Sequence, residues 1–117
     1  MTGVQTCALP ICSIHFNTNT IIPLSVANRG NIAGLLPDDV VEVPCVVNAN
    51  GARPLHVGKV PDRVMPLLTR VKEYERLTVR AALNYSIGAA RDALAHNPLV
   101  PDAATADRLI ADLTPLW

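Results

Sequence analysis

VVEVPCVVNANG, residues 40–51, fixes the architecture. Val41, Val43, Cys45 and Val47 fall on alternate positions, so an extended chain puts all four on one face and Glu42 on the other. That pattern predicts a half-buried strand over 40–47. Asn48-Ala49-Asn50-Gly51 follows, and an Asn-Gly pair between two β-rich runs is a hairpin signal. The second strand is expected over Arg53–Val57, antiparallel to the first. Pro44 and Pro54 lack a backbone donor, so each should turn its nitrogen toward an edge or solvent.

Upstream, Ile21–Ala27 reads as a third strand with Ile22, Leu24 and Val26 on one face, and Pro23 places it at an edge. Asn28-Arg29-Gly30-Asn31 is turn chemistry with Gly30 in the left-handed position, and Leu36-Pro37-Asp38-Asp39 is a second turn. Ser13–Thr20 is polar and unpatterned, which predicts a loop. Downstream of Pro61 the period changes from two to 3.6. Leu67, Val71, Tyr74, Thr78 and Ala81 form the stripe of an amphipathic helix, with Pro66 in its first turn or at a kink after a start near Asp62. Ser86 can cap a short helix through His96, stopped by Asn97-Pro98. Asp102 can cap a last helix whose stripe is Ala106, Leu109, Ile110 and Leu113. Strands followed by helices give an α+β chain, with helices against an antiparallel sheet.

Ten basic and ten acidic residues balance, which gives no electrostatic case for nucleic acid or an anionic membrane. No apolar run approaches the roughly 18 residues that a bilayer span requires. Aromatics are scarce, so the core must be aliphatic. The three histidines, His15, His56 and His96, are isolated and make no metal-ligand spacing. His96 suits a helix C-terminus, and His56 suits a half-exposed strand position. Asp38-Asp39 suits turn capping better than a metal site. Arg70–Arg80 reads as a solvated helix face with i,i+3 pairs Lys72–Glu75 and Glu73–Arg76. Cys45 has no nearby histidine in sequence and reads as a packed small hydrophobe. No Gly-rich phosphate loop and no catalytic pair is present.

The opening MTGVQTCALPIC is neither a signal peptide nor a redox motif. It has no basic residue, its apolar run is broken by Pro10, and Cys7 and Cys12 are spaced C-x4-C. Residues 1–11 resemble the in-frame translation of a short-read sequencing adapter. Residues 1–12 are therefore expected to be an artefact without a domain, and residues 13–117 the natural sequence. Setting aside twelve of the 117 residues leaves 105, about one domain, and Cys45 as the single cysteine. A lone thiol suits a reducing, cytoplasmic setting.

The motifs then carry a resemblance. Val26-Ala27-Asn28-Arg29-Gly30-Asn31-Ile32 and Leu36-Pro37-Asp38-Asp39-Val40-Val41-Glu42-Val43-Pro44-Cys45 resemble a V-x-N-x-G-x-I…L-P-D-D-x-V-V-E-V-P-C stretch of glycoside hydrolase family 4. Asn50–Leu55 is similar to its N-G-x-x-P-L turn. Val71–Val79 is similar to its V-K-x-Y-E-R-L-T-V helix. Ala93–Pro101 is similar to its A-L-x-x-N-P-L-V-P segment. Five motifs in order cover nearly all of residues 20–114. Glu42-Val43-Pro44-Cys45 and Tyr74-Glu75-Arg76-Leu77 look most like the 6-phospho-β-glucosidases, with the α-glycosidase members the nearer competitors.

The resemblance implies a partial C-terminal domain over 13–117: antiparallel strands and a hairpin packed by C-terminal helices, as in the lactate dehydrogenase C-terminal-domain-like fold. It implies a cytoplasmic, homo-oligomeric enzyme acting on a phosphorylated disaccharide or β-glucoside. NAD and a divalent metal, commonly Mn2+, would support oxidation, elimination, water addition and reduction, in contrast to the usual two-carboxylate mechanism. It also implies that the residues holding NAD, the metal and the catalytic base lie upstream. No catalytic, cofactor-binding or metal residue is then expected in this chain. Cys45 is not the family's metal cysteine and Tyr74 is not its base. Gly34-Leu35-Leu36-Pro37 carries one more apolar residue than the family's turn, Pro66 departs from its helix, and Thr114-Pro115-Leu116-Trp117 is not family-like. A lactate/malate dehydrogenase-like oxidoreductase and a free-standing binding module are the alternatives.

Overall fold

The structure is a computed structural model and describes residues 8–116. Cys7 and Trp117 lie outside the described residues, so the expectations about the Cys7–Cys12 pair and the end of the tail are not addressed by it. The architecture is α+β, in two units, Met1–Val60 and Pro61–Trp117.

The first unit contains α1 (Ala8–His15), β1 (Thr20–Ala27), β2 (Val40–Asn48) and β3 (Gly51–Pro54). The three strands form one antiparallel sheet in the order β1-β2-β3. The period-two pattern sets the faces as expected: Val41, Val43, Cys45 and Val47 are buried, while Val40, Glu42 and Pro44 are exposed. The register opposes Ile22 to Cys45, Leu24 to Val43 and Val26 to Val41. These cross-strand pairs, with Ile32, Leu35 and Val60, make the core.

The three strand prolines each lose a donor where little is lost. The Pro44 carbonyl accepts from the Leu55 N–H at 2.8 Å. The N–H and C=O of a strand residue point the same way, so Pro44 turns its missing donor toward the β3 side. β3 pairing has ended there, at Cys45 opposite Pro54. Pro23, directly opposite Pro44, then faces the outer edge of β1. Pro54, opposite Cys45, faces the outer edge of β3. Pro23 and Pro54 thus follow the edge rule; Pro44 is a correction to it, since it sits in the central strand.

Two further expectations are corrected. β3 stops at Pro54 rather than Val57, because the chain turns away to pair elsewhere: the Val57 and Gly58 amides both donate to the Asn31 carbonyl at 2.9 Å. His56 is accordingly an exposed loop residue and not a strand residue. Ser13–Thr20 is also not all loop, since Ser13–His15 belong to α1 and Thr20 begins β1. The helix continues through the apolar residues preceding Ser13, and it buries Ser13.

At the hairpin, Asn48 pairs with Gly51, with Ala49 and Asn50 between them. Neither Ala49 nor Asn50 has a positive φ, which excludes a type I′ turn. Gly51 does, at +95°, as the left-handed residue that closes a type I turn in a bulged hairpin. The Asn48 side chain accepts from the Asn50 amide at 2.9 Å and tightens it.

The second unit is three helices, α2 (Met65–Asn84), α3 (Ile87–His96) and α4 (Ala103–Leu113), with a closing 3-10 turn at Thr114–Leu116. Pro66 sits in the first turn of α2, as its missing donor requires. Ser86 caps α3 through the Ala89 amide, and Asp102 caps α4 through the Thr105 amide, both as read from sequence. Between α2 and α3 the chain reverses at Tyr85, whose φ is 48°. The Tyr85 amide donates to Ala82 and the Ser86 amide to Ala81. This is a Schellman motif with a tyrosine where glycine is usual. The α2 stripe is only partly as expected: Val71, Tyr74 and Ala81 face inward, but Leu67 and Thr78 are exposed.

Candidate functional site

The most ordered polar feature of the first unit is centred on Asn28, which is fully buried. It ends β1 and holds the whole excursion from 28 to 39. Its side-chain nitrogen donates to the carbonyls of Ile32 (3.0 Å), Leu35 (3.1 Å) and Leu36 (3.2 Å). Its Oδ1 accepts from the Ile32 amide at 2.7 Å. The Asn28 amide donates to the Asp39 carbonyl, and its own carbonyl accepts from the Asn31 amide, each at 2.7 Å. Gly30, at φ +87°, and Arg29, at φ 42°, make the tight reversal that this bonding needs. Asp39 closes the far end: its carboxylate accepts from the Leu36 amide at 2.9 Å, while Asp38 is exposed. The acidic pair is therefore turn chemistry. Asn28 is a scaffold residue, and its position in a recognisable turn was the only hint of its reach.

The remaining candidates stay apart. Cys45 is fully buried in the sheet core, its Sγ donating to the Val43 carbonyl at 3.4 Å, and burial pushes its thiol pKa up. A thiol so placed is neither a nucleophile nor a ligand. In a Cys7→Ser/Cys12→Ser variant, Cys45 is expected to react with a thiol reagent only when denaturant unfolds the chain; rapid reaction under native conditions would overturn its placement. Cys12 is exposed. His15 ends α1 beside Phe16.

In the second unit, His96 lies in the last turn of α3, with Nδ1 2.9 Å from the Asp92 carbonyl oxygen and Nε2 4.0 Å from Glu73. Arg70 crosses from α2 to donate to the His96 (3.0 Å) and Asn97 (3.3 Å) carbonyls, capping the end of α3. Arg91 on α3 forks onto Asp107 of α4 and holds that carboxylate below the usual range. Sequence spacing showed neither contact, because each joins residues on different helices. Lys72 and Glu75 do pair, at 2.6 Å. Tyr74 lines an apolar groove of about 220 Å3 between α2, α3 and α4, and is the one titratable side chain among the described residues that line it.

Among the described residues no three His, Cys, Asp or Glu side chains gather as a metal site. Among the described residues no glycine-rich turn opens a helix as a dinucleotide cradle does. What the residues do form is a tightly hydrogen-bonded sheet unit and a capped helical unit.

Comparison with known proteins places these two units in a family. The model of the family 4 glycosyl hydrolase C-terminal domain matches residues 2–100, a stretch that includes the N-terminal segment set apart in the sequence reading. The chain belongs to the family 4 glycosyl hydrolases, as part of their C-terminal domain. It is 34% identical over 103 residues to a probable 6-phospho-beta-glucosidase of Bacillus subtilis, covering 88% of this chain and 23% of that protein. It is 39% identical over 101 residues to the phospho-alpha-glucosidase PagL of Clostridium acetobutylicum, covering 86% and 23%. Among solved structures, a 6-phospho-alpha-glucosidase from gut microorganisms in complex with NAD and Mn2+ superposes with a TM-score of 0.90, at 29% identity, over 96% of this chain and 26% of that one. The 6-phospho-beta-glucosidase of Thermotoga maritima with NAD and glucose-6-phosphate superposes with a TM-score of 0.85, at 32% identity, over 94% and 27%. The chain thus spans about a quarter of the length of these relatives.

Proposed function

We propose that this chain is the C-terminal part of a phosphoglucosidase that hydrolyses 6-phospho-β-glucosides, using NAD and a divalent metal through oxidation, elimination, water addition and reduction. Catalysis rests on residues outside the chain, which contributes scaffold. The observation that carries this reading is the family match together with relatives acting on phosphorylated glucosides. The 6-phospho-α-glucosides are the second reading, favoured by the 39% identity to an α-acting relative. Among the described residues no group of three His, Cys, Asp or Glu side chains gathers, so no step is assigned to them. A cytoplasmic setting and assembly into a homo-oligomer belong to the same proposal. Among the described residues, no helix is long and apolar enough to cross a membrane.

The decisive experiment reads the genomic frame upstream of codon 13, without adapter, and expresses the protein it encodes. Hydrolysis of 6-phospho-β-glucosides dependent on NAD and Mn2+, with unphosphorylated glucosides spared, is the expected result. Preference for the α-anomers would select the second reading, and a frame without a dinucleotide-binding half would sink both. The 117-residue chain itself is expected to bind no NAD by calorimetry and to release no product from a chromogenic 6-phospho-β-glucoside. Turnover by the chain alone would refute the claim that its chemistry lies elsewhere.

A further inference from the structure

We propose that Asn50, at the tip of the β2–β3 hairpin, is a site of spontaneous backbone modification, where the Gly51 nitrogen displaces ammonia from the side chain and the chain rearranges to isoaspartate. The step balances without a cofactor. The Gly51 nitrogen bonds to the side-chain carbonyl carbon of Asn50 and gives up its proton. The bond from that carbon to Nδ2 breaks, and Nδ2 leaves with the proton as ammonia. Solvent water then opens the cyclic imide at either carbonyl. One opening leaves an aspartate at position 50. The other leaves an isoaspartate, whose backbone runs through the side-chain carbon and is longer by that carbon.

Sequence and structure together single out this asparagine. Asn50 alone precedes a glycine. A β-carbon on the following residue shields the nitrogen that must attack, and glycine has none. Apart from its chain neighbours, no atom stands within 4 Å of where a β-carbon of Gly51 would be, so the approach is open. The carboxamide must also be free to turn. Those of Asn28, Asn31, Asn48 and Asn97 are held by hydrogen bonds, and those of Asn17 and Asn19 accept from Ala49 and Asn48. Asn50 is exposed, and its carboxamide makes no hydrogen bond among the described residues. Asn84 is equally unheld, but the Tyr85 amide that would attack it donates to the Ala82 carbonyl. Gly51 belongs to the last pair of its ladder, opposite Asn48, so freeing its nitrogen asks only that this pair fray. The consequence falls on β3, a four-residue strand paired to β2 alone. An extra backbone carbon at position 50 puts Ala52 and Arg53 out of register with Val47 and Val46, so the modified chain releases β3 while β1 and β2 stay paired.

Ageing the full 117-residue chain in native buffer at mildly alkaline pH tests this. Peptide mass spectrometry is expected to find amide-to-acid conversion at position 50 before any other asparagine. An isoaspartyl methyltransferase with labelled S-adenosylmethionine should mark the aged chain and not the fresh one. Gly51→Ala puts a β-carbon beside the attacking nitrogen and should slow the conversion about tenfold, the effect of about 1.4 kcal/mol on a barrier. Alanine also strains the left-handed backbone at position 51, so Asn50→Gln serves as the second variant: it keeps Gly51 and should take up no methyl label after the same ageing. Amide exchange in β3 is expected to quicken several-fold in the isoaspartate fraction, with β1 and β2 unmoved. An Asn50 still intact in the native chain when the urea-unfolded chain has converted overturns the proposal. So does earlier conversion at another asparagine, or undiminished methyl labelling in Asn50→Gln. Unchanged exchange in the isoaspartate fraction refutes the release of β3.

Discussion

Replacing Val43 by aspartate is expected to abolish folding of the sheet unit at neutral pH. Val43 is 2% exposed on the inner face of the central strand, opposite Leu24. A carboxylate there has no partner and would leave water entirely, and an unpaired buried charge ranks among the costliest single changes, at more than about 4 kcal/mol. Val43→Ala removes only methyl groups and should cost about 2 kcal/mol. Glu42→Ala, one residue away on the exposed face, should stay within about 0.5 kcal/mol. Thermal unfolding separates the three, since a kcal/mol moves the midpoint of so small a unit by about 4–8 °C. Equal effects at 42 and 43 would mean that the alternation does not set the buried face.

The second large effect is expected at Asn28. Asn28→Ala strips the donor from three carbonyls and leaves the Ile32 amide without its acceptor, inside the protein. Unmade buried hydrogen bonds cost about 1–3 kcal/mol each and share some relaxation, so the change should cost about 3–5 kcal/mol. That is a large share of the roughly 5–15 kcal/mol that holds a domain together. Asn28→Asp is nearly isosteric and separates shape from chemistry. It keeps the acceptor for Ile32 but turns a negative oxygen on three carbonyls. Burial and those carbonyls raise its folded pKa above the unfolded value, so the variant should be as damaged as Asn28→Ala at neutral pH. It should recover as pH falls through the carboxylate range. A shift in the urea midpoint worth less than about 1 kcal/mol for Asn28→Ala would show that the 28–39 excursion does not depend on this amide.

The contrast between these two residues shows how far the sequence could be read. Val43 was legible because burial in a strand repeats every second residue, and VVEVPCVV displays that repeat without help. Asn28 was legible only as a turn residue. Its side chain reaches four, seven and eight positions along the chain, and no local pattern records where a loop returns. The same holds in the helical unit. Ser86 and Asp102 cap helices that begin at the next residue, so a cap and a following periodic run predicted both. Arg70 and Arg91 bind residues on other helices, and nothing in their own neighbourhoods distinguishes them from ordinary surface charge. β3 ends before its strand-like composition does, for a related reason. Leu55–Val57 has strand composition, yet Val57 and Gly58 bind the Asn31 carbonyl from a distant turn instead of β2.

By itself the sequence determined the α+β order, the inward faces of β1 and β2 and the capped ends of α3 and α4, because these follow from periodicity and from bonds within a few residues. Its motifs also marked the family, to which comparison assigns the chain. Tertiary structure alone decided what Asn28 holds, how the helices are tied and that an apolar groove stays open between them. It also showed that the described His, Cys and acidic side chains do not gather into a metal site. Those outcomes depend on which distant side chains meet, and distance along the chain carries no information about that until the chain is folded.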